Sequence, residues 1–237
     1  ASSLTIAEPA SFGFLGNSSA NSGAINIQGS TLKFKQGQTL DVVASNIDVK
    51  NNAVLYVPAG EIRMVATQGD SSVSLQKIGN NNLPLLSYSP SVTNAGNITL
   101  DSSQATGYIF SDTTGNGGGR LALWGKNIVL KDSGVYADNS GALNSDMTKG
   151  IKIQSNLLSL DNSIMTSNAL GNGKSGDITI DAEKLDIVNG SRISSAAFAL
   201  GQTGNVNVTS QQLMIDRQGS TQATGIRTYA GDSSGNA

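Results

Sequence analysis

The chain has no cysteine and no histidine among its 237 residues. Without cysteine there can be no disulfide, no thiolate nucleophile and no cysteine-ligated metal. Without histidine, the commonest general base and the commonest metal ligand are both missing. Aromatic residues make up only 5%, and there are only 4 prolines. Charge is sparse too, at 14% of residues, with a formal net charge of −2. No basic stripe stands out, so the electrostatic footprint of a nucleic-acid binder is absent and no nucleic-acid partner is expected. No apolar run reaches the length of a membrane-crossing helix, so no membrane span is expected. Ala1-Ser2-Ser3-Leu4 carries no basic n-region and no apolar h-region, so no signal peptide is read there. A mature or trimmed chain would read the same.

What is abundant is glycine, with 28 residues. Glycine in such numbers suits many tight turns and disfavours long helices. The glycines also keep time. Gly96-Asn97-Ile98-Thr99-Leu100, Gly119-Arg120-Leu121-Ala122-Leu123, Gly150-Ile151-Lys152-Ile153, Gly176-Asp177-Ile178-Thr179-Ile180 and Gly204-Asn205-Val206-Asn207-Val208 repeat one phrase. Successive copies start 23, 31, 26 and 28 residues apart. A period of that size is the mark of a solenoid whose corner loops differ in length.

Each repeat holds further short apolar segments. After Ile178-Thr179-Ile180 come Leu185-Asp186-Ile187 and then Arg192-Ile193-Ser194, with the turn signal Asn189-Gly190-Ser191 between the last two. Alternation of apolar and polar residues buries one side of each strand. Ile178, Ile180, Leu185, Ile187 and Ile193 are thus expected to face inward, and Asp177, Thr179, Lys184 and Asp186 outward. Three segments per repeat predict an all-β right-handed parallel β-helix with three strands per coil. About nine coils would span roughly 40 Å at one strand spacing per coil. Asn162, Asn172 and Asn189 are candidates for a ladder of stacked turn amides.

The whole chain, 1–237, reads as a single β-helical segment of a longer chain, with first coils over 1–66 and regular coils over 96–237. The stretch 67–95 is irregular. It reads either as an excursion, such as a hairpin along one face, or as a distorted but continuous coil. The fold's open coils lack capping helices, so either the native chain continues or copies stack end to end.

The phrases fall in a recognisable order. Glu8-Pro9-Ala10-Ser11-Phe12-Gly13-Phe14-Leu15-Gly16-Asn17, then Ile25-Asn26-Ile27-Gln28-Gly29-Ser30-Thr31-Leu32, Gly37-Gln38-Thr39-Leu40 and Pro58-Ala59-Gly60-Glu61-Ile62 lead into the copies at Gly96 and Gly117-Gly118-Gly119. Together they resemble filamentous-haemagglutinin-like exoproteins of the two-partner secretion family, of the cyanobacterial type. The resemblance covers essentially the whole chain and places it downstream of the family's secretion domain, whose Asn-Pro-Asn-Gly-type motif does not occur here. It implies export through an outer-membrane secretion partner, an extracellular or outer-surface location on a bacterium, and a role in adhesion or surface structure. Host surface, glycan or neighbouring copies would be its contacts.

Chemistry is harder to find. The 17 acidic residues are scattered, and Asp101, Asp112, Asp132, Asp161 and Asp181 each close a strand or open a turn. Asp at such positions ordinarily accepts backbone N–H bonds. Thr114-Gly115-Asn116-Gly117-Gly118-Gly119 lacks the Lys-Ser/Thr pair and following helix of a phosphate loop. Asn97-Ile98-Thr99 and Asn207-Val208-Thr209 match the glycosylation sequon but lie in strands. No catalytic, cofactor-binding or metal-ligating residue is assigned, no cofactor is expected, and the chain reads as a scaffold and not as an enzyme. A polysaccharide-acting β-helix enzyme and the stalk of a contact-dependent toxin are the alternatives. The candidate contact residues are Trp124 and Tyr56, which strand parity turns outward. Exposed rings there would stack on sugars or on a neighbouring chain. The competing reading covers Trp124 with the 67–95 segment or a neighbouring loop.

Overall fold

The computed structural model describes residues 11–14, 23–68, 71–78, 83–87, 94–103, 109–146 and 149–230. Among these residues every regular element is a strand, and twenty strands, β1 to β20, follow one another in chain order.

The largest sheet is parallel and has ten strands. One arm runs through β2 (Ile25–Gln28), β5 (Ile47–Lys50), β10 (Ile98–Asp101) and β13 (Asn127–Lys131). The other runs through β4 (Thr39–Ala44), β7 (Glu61–Ala66) and β12 (Arg120–Trp124). Both arms meet on β15 (Gly150–Asp161), whose first half pairs with β12 and whose second half pairs with β13. The sheet then continues through β17 (Asp177–Val188) to β19 (Val206–Asp216). A second parallel sheet has seven strands: β3 (Thr31–Lys33), β6 (Val54–Tyr56), β11 (Ile109–Asp112), β14 (Ser133–Tyr136), β16 (Ile164–Thr166), β18 (Arg192–Ala197) and β20 (Gly225–Ala230). A small antiparallel sheet joins β1 (Ser11–Phe14), β8 (Ser71–Ile78) and β9 (Leu83–Ser87).

This strand order corrects the expected right-handed parallel β-helix with three strands per coil. The architecture is all-β with two stacked parallel sheets, and the first two expected strands of a repeat belong to one sheet. In the later repeats they are one continuous strand of 11 or 12 residues. The physical reason lies at the join. Ser45-Asn46 and Gly125-Lys126 separate the arms in the earlier layers, whereas Gln154-Ser155-Asn156 and Asp181-Ala182-Glu183 keep extended backbone. The phase of the strand slips there. The N–H groups of Asn156 and Leu157 both donate to the Lys126 carbonyl, at 2.9 and 3.0 Å, as in a β-bulge. Glu183 and Lys184 are accordingly both exposed before Leu185 turns inward. The described residues also span fewer layers than the nine coils expected of the whole chain. The seven-stranded sheet is about 29 Å from first strand to last at the usual strand spacing, not 40 Å.

Within the sheets the in–out alternation follows the residues. Ile25, Ile47, Ile98, Ile128, Leu158, Leu185 and Leu213 form one register column, and Leu40, Ile62, Leu121, Ile151, Ile178 and Val206 another. Ile178, Ile180, Leu185, Ile187 and Ile193 all lie in the main core. Burying each such side chain contributes about 1.5–3 kcal/mol. Asp186 departs from the expected outward exposure: it is largely buried beside Lys184, 2.8 Å away.

The recurring glycines have a packing cause. A Cβ on Gly176 would come within 2.5 Å of the Gly150 nitrogen, and one on Gly204 within 2.1 Å of the Gly176 carbonyl oxygen. Successive layers therefore touch backbone to backbone at this corner. At another corner Asp132, Asn162 and Asn189 adopt φ of 48°, 47° and 54°. This left-handed conformation suits Asn and Asp better than most residues. The Asn162 amide donates to Asp132 at 2.6 Å and the Asn189 amide to Asp161 at 2.9 Å. The expected asparagine ladder is thus a ladder of amides donating to carboxylates, and Asn172 is exposed on a different corner. One step further on, the Ser133 N–H donates to the Ser163 hydroxyl, and the Ser163 N–H to the Ser191 hydroxyl.

The segment between the sheets' layers at 67–95 contains an antiparallel hairpin of β8 and β9, and Thr67 and Ala95 bridge antiparallel at its base.

Candidate contact surfaces

Trp124 closes strand β12, and parity turns it away from Leu121 and Leu123. It is nevertheless only 3% exposed. It packs with Val65 and Ala122 of the ten-stranded sheet, with the half-buried Val43, and with Val73 of the hairpin strand β8. Trp124 is therefore part of a second, outer core and is corrected as a contact residue. Outward orientation put it on the sheet's outer face, and β8 then covered that face.

Tyr56 sits on the outer face of the seven-stranded sheet and is half-buried. Its register partners are Lys33 on one side and Asp112 on the other. The next residue in that column is Tyr136, which stacks on Phe110 with ring centroids 5.7 Å apart. Gly134 makes room for this stack: a Cβ there would lie 2.4 Å from the Tyr136 ring. Phe110 is exposed. Sequence reasoning passed over Phe110 and Tyr136. The usable signal was parity, since Val135 and Ala137 face inward and leave Tyr136 outside. Trp124 and Tyr56 do not come together; they belong to different sheets. A second aromatic group lies on the last layers, where Phe198 meets Tyr229 edge to face and the Arg227 guanidinium lies 5.2 Å from the Tyr229 ring centre.

Charges are also buried on the outer face of the ten-stranded sheet. Arg63 is wholly enclosed and grips its register partner Asp41 through two bonds, at 2.5 and 2.7 Å. Glu61 lies 3.5 Å from the same guanidinium. Arg120, opposite Glu61 on the next strand, is also buried, and burial pushes its guanidinium below the ordinary value against the pull of Glu61. Two guanidiniums and two carboxylates hold one another, which is what buried ionic groups require. Elsewhere, Asp138 is 6% exposed, and burial pushes its carboxyl up to about 6. The backbone N–H of Asn168 donates to it at 2.6 Å.

Of the five acids expected at turns, Asp101 and Asp112 accept backbone N–H bonds as turn residues do, Asp132 and Asp161 accept the asparagine amides of the left-handed corner, and Asp181 lies within the continuous strand β17. Asp101 accepts from the Ser103 N–H and Asp112 from the Thr114 N–H, each at 2.8 Å. Among the described residues no group of three or more acids is placed to hold a metal ion. Asn97 and Asn207 of the sequons are exposed.

The most apolar exposed surface is the last layer. Leu213 is 53% exposed, Met214 42% and Ile215 47%. Leu213 and Ile215 stand in the same register positions as the fully buried Leu185 and Ile187 one layer below. Two stacked parallel sheets with an aromatic strip on one face place the chain in the all-β class. Comparison of the chain with family models, curated proteins and solved structures finds no match.

Proposed function

We propose that the chain is a structural rod segment, secreted or displayed on the outer surface of a bacterium, and used for adhesion or surface assembly. One observation carries the reading. The register columns run unbroken from β2 to β19, so every repeat spends its apolar residues on the layer below and the layer above. Such a molecule is stiff along one axis and grows by adding layers, and its outer faces are left for contacts. The strip of Tyr56, Phe110 and Tyr136 offers stacking surface to a glycan, a host surface or a neighbouring copy. Export through an outer-membrane secretion partner follows from the resemblance to two-partner secretion exoproteins.

The test is location. Antibody raised against the chain is applied to intact and to permeabilised cells of the producing bacterium. Labelling of intact cells, lost after mild protease treatment from outside, is the expected result. Signal confined to permeabilised cells overturns the proposal.

A further inference from the structure

We propose that Asn189 is a self-modification site, a deamidating asparagine whose rate is set by the hydroxyl of Thr224. The chain contains three Asn-Gly pairs: Asn116-Gly117, Asn172-Gly173 and Asn189-Gly190. Glycine after asparagine favours deamidation, because no Cβ shields its nitrogen. That nitrogen gives up its proton and attacks Cγ of the asparagine. A bond from nitrogen to Cγ forms, the bond from Cγ to Nδ2 breaks, and the side-chain nitrogen leaves as ammonia. Water then opens the cyclic succinimide to aspartate or isoaspartate. The sequence of steps is redox-neutral and consumes only water.

In this fold all three glycine nitrogens are engaged by an adjacent layer. The Gly117 N–H donates to Asn139 Oδ1, the Gly173 N–H to the Gly141 carbonyl and the Gly190 N–H to Thr224 Oγ1, each at 2.9 Å. A nitrogen held in this way keeps its proton and cannot swing toward Cγ. Deamidation then waits for the bond to open, as hydrogen exchange does.

The three guards differ. At Gly173 the acceptor is main chain. At Gly117 it is the fully buried Asn139, whose own amide donates to the Leu143 and Lys174 carbonyls at 2.6 and 2.8 Å. Thr224 is half-buried and stands immediately before β20, and rotation about one side-chain bond takes its hydroxyl away from Gly190. Neither member of the guarded pair is easily exchanged. Asn189 has a φ of 54° and Gly190 one of 79°, and a Cβ on Gly190 would lie 2.6 Å from the Ser220 hydroxyl. The corner therefore requires a labile pair and sets a removable guard over it.

Modification at this place reaches the neighbouring layer. The Asn189 amide donates to Asp161 at 2.9 Å. Deamidation replaces that donor with a carboxylate facing the Asp161 carboxylate, so an attraction between layers becomes a repulsion. Isoaspartate also adds a methylene to the main chain at the corner.

The unaltered protein, Thr224→Val and Thr224→Ser are incubated folded in mildly alkaline buffer, and the unaltered protein is also incubated in urea. The three pairs fall in separate tryptic peptides, so mass spectrometry follows each one. All three should deamidate slowly in the folded protein and quickly in urea. Thr224→Val removes the acceptor and should speed Asn189 roughly five- to tenfold, with Asn116 and Asn172 at their former rates. Thr224→Ser keeps the hydroxyl and should keep the slow rate. Asn189→Asp should melt below Asn189→Gly, which loses the same donor without adding a charge. Folded Asn189 deamidating as fast as in urea overturns the proposal, as does a Thr224→Val rate equal to the unaltered one. A rise shared equally by all three sites overturns it too, because it marks loosening of the whole fold and not loss of one guard. If Asn189→Asp melts no lower than Asn189→Gly, the effect on the neighbouring layer is refuted.

Discussion

The described residues form two apolar cores, and they arise differently. The inner one lies between the parallel sheets, where Ile178 stacks on Ile151 and is covered by Val206. The outer one lies on the far side of the ten-stranded sheet, where Trp124, Val65, Ala122 and Val73 meet beneath the hairpin. The inner core repeats with the chain's own period, so each member is foretold by its neighbours. Among the described residues the outer core occurs once, and it exists because Val73 of β8 packs onto the outer face of the ten-stranded sheet. Facing outward and being exposed are therefore separate properties in this fold.

Substitutions can set the two cores against each other. The largest effect is expected in the inner one. Ile178→Asp puts a carboxylate against Ile151 and Val206 and should cost more than about 4 kcal/mol, enough to abolish a cooperative urea transition. Thr179→Asp, one residue along on the exposed side, should change stability by no more than about 0.5 kcal/mol. Equal losses at the two positions would break the assignment of faces.

Trp124→Ala should cost roughly 3–5 kcal/mol through the cavity it leaves in the outer core. Trp124 is the only tryptophan, so the unaltered protein reports on the same site. Its emission should be blue-shifted in the native state and move to the red as β8 is displaced by denaturant. Native emission already at the wavelength of a solvated indole would refute the covered position.

A smaller effect is expected at Asp138. Burial raises its carboxyl to about 6, well above the ordinary aspartate range, so the folded state holds the proton more tightly than the unfolded one. The stability associated with that proton is present below about pH 4 and is lost as pH rises through about 6. Asp138→Asn keeps an acceptor for the Asn168 N–H and removes the buried charge. It should stabilise the protein by about 1–3 kcal/mol at pH 8 and by little at pH 4, read from denaturant midpoints at the two values. A gain that does not depend on pH would exclude titration of this group as its cause.

The smallest effect lies at the left-handed corner. Asn162→Ala loses the bond to Asp132 and strains the backbone, for about 1–2 kcal/mol. Asn162→Gly loses the same bond without the strain and should cost less in the same melting experiment. If glycine proves as costly as alanine, the corner is held by the side-chain bond and not by backbone conformation.

Much of the fold was legible in the residues. Alternation from Ile178 through Ile193 assigned the inner core correctly because burial on one face of a strand imposes a period of two. The glycines at 150, 176 and 204 marked layer boundaries because adjacent backbones leave no room for a Cβ. The division of each repeat into three strands was misread. Apolar pairs separated by polar residues look alike whether a turn or a bulge lies between them, and at Asn156 it is a bulge. The outer faces of the sheets were half legible. Tyr56 was placed by parity, Phe110 and Tyr136 could have been, and parity turned Trp124 outward while the competing reading, cover by the 67–95 segment, is the one that Val73 of β8 fulfils from some fifty positions earlier in the chain.

By itself, then, the sequence determined an all-β chain of repeating layers, the residues that line its inner core, the corners where only glycine fits and the left-handed corner where Asn and Asp recur. These are local or periodic requirements, written into each repeat. Tertiary structure alone decided that the repeats join into two sheets, that Arg63 is enclosed with Asp41 and Glu61, and that the hairpin buries Trp124. Those outcomes depend on which distant segments come to lie on the same face, and side-chain period carries no information about that.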